Sequence, residues 1–332
     1  MSDSDLGQRV LKTAFTEMIG CRVPIQLAAM GGGVVTAALA AAVSRAGGLG
    51  MLNSAGPTPL TVLVEELEAL GVGPFGINFT AHNRDGSDRP DREEVVYAAA
   101  HARVVEFFWA APNPDWIEWV HTTGCLACWQ VGAVAEAKLA ADSGCDLIVA
   151  QGVEAGGHVR GSTGLLPLLD SVLDSVDIPV LAAGGITTAR SMAAVMMAGA
   201  AGVRLGTRFL ATPESGAHPA YVNALLAAGN DSTVLTDLFS VGWPDAPHRV
   251  IAAAAAAALA HDGDTVGTMG GQPVVRLSAR TPNRDVSGNV GAMALYAGQG
   301  VGQVTSIMPA GQIVTKLASE TQSLLTRWRD SE

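Results

Sequence analysis

The sequence predicts an α/β protein of the (β/α)8-barrel class, with a smaller, mainly helical segment inserted after the eighth strand. Three observations carry this. Short apolar runs of strand character alternate with helical stretches eight times between residues 23 and 205. The residues following those runs are rich in glycine, as loops built around a ligand at the carboxyl ends of barrel strands require. The 332-residue length suits such a barrel plus an insertion, and 48% hydrophobic against 15% charged residues gives enough apolar surface for a large core.

The first strand is expected at 23–27, and 34–46 (VVTAALAAAVSRA) reads as an alanine-rich helix closed by Gly47 and Gly48. Strand and helix then alternate at 49–52 and 59–70, 75–79 and 92–102, 104–109 and 115–122, and 125–130 and 133–143. The sixth unit is 147–150 with 164–175, the seventh 179–182 with 188–198, and the eighth strand is 202–205. After residue 209 the alternation stops: 217–228 and 251–259 look helical, and 267–289 is rich in Gly, Pro, Ser and Thr. The expected division is therefore a barrel from 1–211 and 291–332, with 212–290 as a helical or irregular insertion over the barrel mouth. The last helix is expected at 310–328.

A formal charge of -11 argues against a nucleic-acid surface, which needs a basic face. The first ten residues lack the basic and apolar pattern of a signal peptide, and no stretch reads as a membrane span, so a cytoplasmic protein is expected. Of the four cysteines, only Cys125 and Cys128 have metal-like or redox-like spacing. With no second pair and no histidine cluster beside them, they are expected to be reduced core thiols, and no metal site is expected.

The chemistry is expected at the strand ends. Ala28 and Met30 follow the first strand, Asn78 closes the third, Gln130 the fifth and Gln151 the sixth. The loop after Gln151 reads QGVEAGGHVRG; its paired glycines, Gly156 and Gly157, let a ligand approach the backbone and put His158 at the cavity mouth. An imidazole titrates near neutrality and suits proton transfer there. Gly184 and Gly185 after the seventh strand, and Leu205, Gly206 and Thr207 at the eighth, occupy the loops that commonly cradle a phosphate in this fold. Asn78, Gln130 and Gln151 offer amide donors and acceptors to a ring edge such as a flavin pyrimidine. The whole strand-end set reads as glycine-rich and uncharged, with no lysine or carboxylate pair of the kind a flavin-free isomerase or lyase would use.

QGVEAGGHVRG, AAGGI, GVRLGTRFLATPESGAHPAY and ALYAGQGVG, in this order, resemble the FMN-dependent nitronate monooxygenases, formerly called 2-nitropropane dioxygenases. The resemblance runs from about Pro24 to the final helix. It implies a TIM barrel with a smaller substrate-side domain, non-covalent FMN, and His158 as the catalytic histidine. It also implies that Asn78, Gln151, Gly156, Gly185 and Arg204 to Thr207 contact the flavin, with Gly185 and residues 204–207 supplying the phosphate cradle. The implied reaction is oxidation of alkyl nitronates, and of nitroalkanes, by O2 to carbonyl compounds and nitrite. The alternative is an FMN-dependent NAD(P)H:quinone or enoyl-thioester reductase of the same barrel superfamily. A small-molecule substrate is expected, and a homodimer is left open. The chain departs from the resemblance at Ala28-Ala29-Met30, where the family commonly has Ala-Pro-Met. Tyr296 falls in the matching segment ALYAGQGVG.

Overall fold

In the computed structural model, which describes residues 11–54, 58–81 and 90–329, eight parallel strands form the barrel. They are β1 (Ile25–Leu27), β2 (Gly50–Asn53), β3 (Phe75–Thr80), β4 (Val104–Phe108), β5 (Leu126–Val131), β6 (Leu147–Gln151), β8 (Val180–Ala183) and β9 (Gly202–Leu205). A two-residue strand, β7 (Gly157–His158), leaves the barrel after β6. The sheet runs β1-β9-β8-β6-β5-β4-β3-β2, and Leu27 N donating to Leu49 O (2.9 Å) and Leu49 N to Ile25 O (2.8 Å) join its two ends. Every residue of β1, β2, β6, β8 and β9 is buried, the pattern of strands covered on both faces.

The helices begin where local chemistry can satisfy their first amides. Helix α2 (Ala37–Arg45) starts three residues later than expected, because the Thr36 hydroxyl accepts from Leu39 N (3.0 Å) and fixes the cap there. Helix α3 is Leu60–Ala69 and α4 is Arg92–His101. Helix α5 (Pro114–His121) is capped by Asn113 with proline in its first turn. Helices α6 (Val134–Asp142) and α7 (Leu165–Leu173) follow β5 and β7, and α8 (Ala189–Met197) opens with a capping box between Thr188 and Ser191. Helix α1 (Ala14–Ile19) lies at the amino-terminal end of the strands, with Thr13 Oγ1 donating to Ala201 O (2.6 Å).

Beyond β9 and the single-turn helix α9 (Thr207–Leu210), a second apolar core gathers Val34, Leu210, Tyr221, Phe239, Val250 and Val301, among others. Segment 212–290 contains α10 (Pro219–Ala227) and α11 (Ala252–Ala260), but it is not mainly helical. It also holds five strands: β10 (Thr233–Thr236), β11 (His248–Ile251), β12 (Thr265–Met269), β13 (Gln272–Val275) and β14 (Val286–Gly288). Strand β11 pairs antiparallel with both β10 and β7, and β12 lies between β13 and β14. These strands are short, and apart from the buried β11 they are largely exposed or half-buried, so they lack the apolar runs that mark the barrel strands. The turn Gly270-Gly271, with φ of 56° and 77°, joins β12 to β13 as a two-residue hairpin. Helix α12 (Ala310–Arg329) closes the chain against α8 and α2.

Candidate functional site

A cavity of about 700 Å³ opens at the carboxyl ends of the barrel strands, within the usual range for small-molecule sites. Its barrel wall includes Ala28, Met30, Asn78, Gln130, Gln151, Gly156, Gly157, His158, Gly184, Gly185, Arg204, Gly206 and Thr207. Leu205, alone among the sequence candidates, does not line it: its side chain is buried in the barrel core. The outer wall comes from the insertion, through Trp243, Met269, Pro273, Val275 and Arg280, and from Tyr296.

The His158 loop is clamped from several sides. Gln151 Nε2 donates to His158 O (2.9 Å) and Gln151 Oε1 accepts from Arg160 N (3.1 Å). The Gln151 amide therefore staples the loop, rather than presenting a free edge to a ring as the sequence suggested. On the other side β7 pairs with β11, His158 opposite His248, and Arg249 donates twice to Val153 O (3.1 and 2.8 Å). Gly156 is required by close approach: a Cβ there would lie 2.5 Å from Gly298 N. Gly157 has φ of 77°, which lets the chain turn into the strand that carries the histidine.

The imidazole of His158 sits in an aromatic wall. Trp243 stacks on it at 3.7 Å between ring centroids and 29° between planes, and Tyr296, His248 and Trp109 surround it at 5.5, 5.5 and 5.6 Å. Trp109, expected as the last residue of a strand, has φ of 73° instead. A left-handed tryptophan is costly, and such strain is characteristically kept where a side chain must be aimed. Its ring meets His158 and Trp243 edge-on and carries the Arg160 guanidinium 5.7 Å from its centre. His248 is held by Ala246 O at Nδ1 (2.9 Å) and accepts from Phe239 N at Nε2 (3.2 Å). Burial pushes its pKa below the ordinary value, partly offset by the Ala246 contact, so it is a neutral neighbour. Tyr296 donates to Ala279 O (2.8 Å), and burial raises its phenol pKa, which keeps it protonated.

Opposite this wall, Gly184 and Gly185 have φ of 119° and 66°, and a Cβ on Gly300 would lie 2.5 Å from Gly185 O. Backbone thus packs on backbone, and Thr207 Oγ1 accepts from Gly298 N (3.0 Å) to tie the β9 loop to the same segment. The result is a glycine-rich hollow in which backbone amides and the Thr207 hydroxyl can face an anion. Arg204, which the resemblance grouped with this cradle, sends its guanidinium elsewhere, into the barrel interior toward Glu106, Gln130 and Gln26. The site floor is therefore not uncharged.

Sequence reading missed Glu106, Asn53, Trp109, Trp243 and Arg280. Glu106 carried a signal, a lone carboxylate inside the apolar run VVEFF. The others lie in loops or short strands with no pattern of their own. Cys125, just before β5, and Cys128 on it are both buried, and burial raises both thiols, Cys125 to about 12. Among the described residues no His/Cys/Asp/Glu group could hold a metal ion, and no helix is long and apolar enough to cross a membrane.

Residues 12–320 match the family described as Nitronate monooxygenase. A relative from Rhodococcus jostii, named (3aS,4S,5R,7aS)-5-hydroxy-7a-methyl-1-oxo-octahydro-1H-indene-4-carboxyl-CoA dehydrogenase, is 38% identical over 77% of this chain and 70% of its own. The solved nitroalkane oxidase of Streptomyces ansochromogenes superposes with a TM-score of 0.77 at 31% identity, covering 95% of this chain and 100% of that one. FabK from Thermotoga maritima superposes with a TM-score of 0.77 at 26% identity, over 97% and 99% of the two chains.

Proposed function

We infer that this chain, which belongs to the nitronate monooxygenase family, is a flavin-dependent oxidoreductase whose substrates are alkyl nitronates and their parent nitroalkanes. Dioxygen is the co-substrate, and a carbonyl compound and nitrite are the products. The observation that carries this reading is the opposition, across one cavity, of a clamped histidine in an aromatic wall and a glycine-rich hollow.

The residues fit FMN. Gly184, Gly185, Gly206 and Thr207 would hold the phosphate, since glycine at three of the four positions leaves backbone amides open to an anion, and a Cβ on Gly185 would lie 3.2 Å from Glu154 Cβ. No acceptor among the described residues takes the Gln130 NH2, which leaves it for a ring carbonyl. Bound flavin supplies the electron acceptor and the route of electrons to oxygen. The protein supplies the rest. His158 takes the α-proton of a neutral nitroalkane, or when protonated holds the anionic nitronate. Trp243 and Tyr296 shape an apolar box around the alkyl group and keep water from it, with Trp109 packed edge-on against Trp243 and His158.

A second reading is dehydrogenation of an acyl thioester. The exposed Arg280 at the rim and the apolar strip of Met269, Pro273 and Val275 favour it, offering a channel and an anion contact for a substrate larger than a nitroalkane. The name of the Rhodococcus relative agrees with that chemistry.

Anaerobic addition of substrates to the flavin-loaded protein separates the readings. Bleaching of the visible flavin band by ethyl nitronate, and not by NADH or a coenzyme A thioester, is the expected result. Rapid bleaching by NADH would assign a pyridine-nucleotide reductase, and bleaching by the thioester alone would assign the second reading.

A further inference from the structure

At the cavity floor a chain of polar side chains runs into the barrel interior, and the proton chemistry at His158 makes no use of it. Asn53 Nδ2 donates to Asn78 Oδ1 (3.0 Å), and Asn78 Nδ2 donates to Glu106 Oε1 (2.7 Å). Arg204 donates to Glu106 Oε2 through Nη2, to Gln130 Oε1 through Nη1, and to Gln26 Oε1 through Nε (3.0 Å). These side chains come from β1, β2, β3, β4, β5 and β9. The interior of this fold is ordinarily filled by branched apolar side chains in layers. A buried ion pair costs several kcal/mol per ion in desolvation, and well-packed apolar replacements are often neutral or stabilising. The barrel can therefore do without the pair as a source of stability.

The pair is also directional. Arg204 is 6% exposed and forms part of the cavity wall, whereas Glu106 is 0% exposed and does not reach it. Its positive partner is therefore the one nearer to whatever occupies the cavity. All three guanidinium nitrogens are held, so the charge cannot swing away when a ligand arrives.

We propose that Arg204 is the cation of the cofactor site and Glu106 its positioning residue, and that together they set the reduction potential of the bound flavin. This rests on the flavin reading above. A flavin ring accepting an electron pair becomes more negative at neutral pH than its oxidised form. A fixed guanidinium facing it stabilises the reduced state more than the oxidised one and raises the potential. Glu106, behind the guanidinium, holds it in place and offsets part of its field. The two residues therefore pull the potential in opposite directions, which a purely structural pair has no reason to do.

The midpoint potential of bound FMN, measured by equilibration with reference dyes, tests this without turnover. Arg204→Gln is expected to disfavour reduction by about tenfold, roughly 30 mV downward for a two-electron couple. Glu106→Gln is expected to favour reduction by a smaller factor, because the carboxylate lies behind the guanidinium and does not reach the cavity wall. The double variant Glu106→Leu/Arg204→Met leaves no buried charge unpaired; it is expected to keep its thermal midpoint and to show the downward shift. Shifts of the two single variants in the same direction, or an unshifted potential in the double variant, would overturn the proposal. If neither single variant folds, the double variant decides alone, and its failure to fold would equally overturn the claim that the barrel does not need the pair. A wild-type protein that takes up no flavin would instead refute the flavin reading itself.

Discussion

Gly206 offers a test of the phosphate cradle in which shape and charge can be separated. Its φ of -111° and ψ of -72° are open to any L-residue, and a Cβ built there meets Ala28 Cβ at 3.3 Å and Met30 Sδ at 3.5 Å. A methyl group needs the neighbours to yield by only a few tenths of an ångström, so Gly206→Ala should keep FMN affinity within about tenfold. Gly206→Asp adds a carboxylate to the same rim, facing a phosphate that carries close to two charges. One pair of unit charges about 4 Å apart costs about 4 kcal/mol at an effective dielectric of about 20. That single repulsion corresponds to about 10³-fold in Kd. Titrating apoprotein with FMN and following flavin fluorescence measures the affinity, and thermal midpoints of the apoproteins check that all variants fold alike. Gly185→Asp should fail to hold FMN as well, but its φ of +66° adds a backbone penalty that makes it the less clean test. If Gly206→Asp binds FMN within tenfold of Gly206→Ala, the phosphate sits elsewhere.

Two further outcomes are expected. Cys125→Ser and Cys128→Ser should lower the thermal midpoint while leaving flavin binding and kcat intact, because both thiols are buried and protonated; a loss of redox turnover in stable variants would contradict this. His248 has a pKa depressed by burial, so below its ordinary value of 6.5 the unfolded chain takes up a proton that the folded chain resists, and stability falls as pH falls through that window. Replacing it in His248→Gln should flatten the decline in thermal midpoint between pH 7.5 and pH 5, and an unchanged slope would show that another group is responsible.

The barrel was legible because its strands are buried on both faces and so appear as apolar runs separated by helical stretches, whereas the caps that fix helix starts, such as Thr36, were not read. The glycines of the site were legible for a related reason. Gly156 and Gly185 stand where a second piece of backbone arrives or where φ is positive, and no other residue type does that cheaply. What stayed hidden was whatever depends on side-chain direction. Gln151 lies at the expected strand end yet turns back to its own loop, and Arg204 sits beside the cradle glycines yet reaches across the barrel to Glu106. Spacing along the chain gives a residue's place on a strand, but not which of several acceptors its side chain will meet. The insertion strands were missed because a half-exposed pair such as β12 and β13 needs few apolar residues once its register is set by a Gly-Gly turn. Trp243 and Trp109 came to His158 through tertiary contact, from segments 134 residues apart in the sequence.

The central claim is that His158 moves a proton, and His158→Asn tests it with two substrates of the same carbon skeleton. Asparagine keeps a polar side chain of similar reach but cannot titrate near neutrality. General-base assistance is commonly worth about 10² to 10⁴ in rate, or roughly 3 to 5 kcal/mol of barrier. The measurement is kcat/KM for neutral nitroethane and for pre-formed ethyl nitronate, on variant protein shown to be fully flavin-loaded. A loss of about 10²-fold or more on nitroethane with a loss under tenfold on the nitronate, whose proton is already gone, is the predicted result. Equal losses on both, or none on either, would contradict the assignment of His158 as the base.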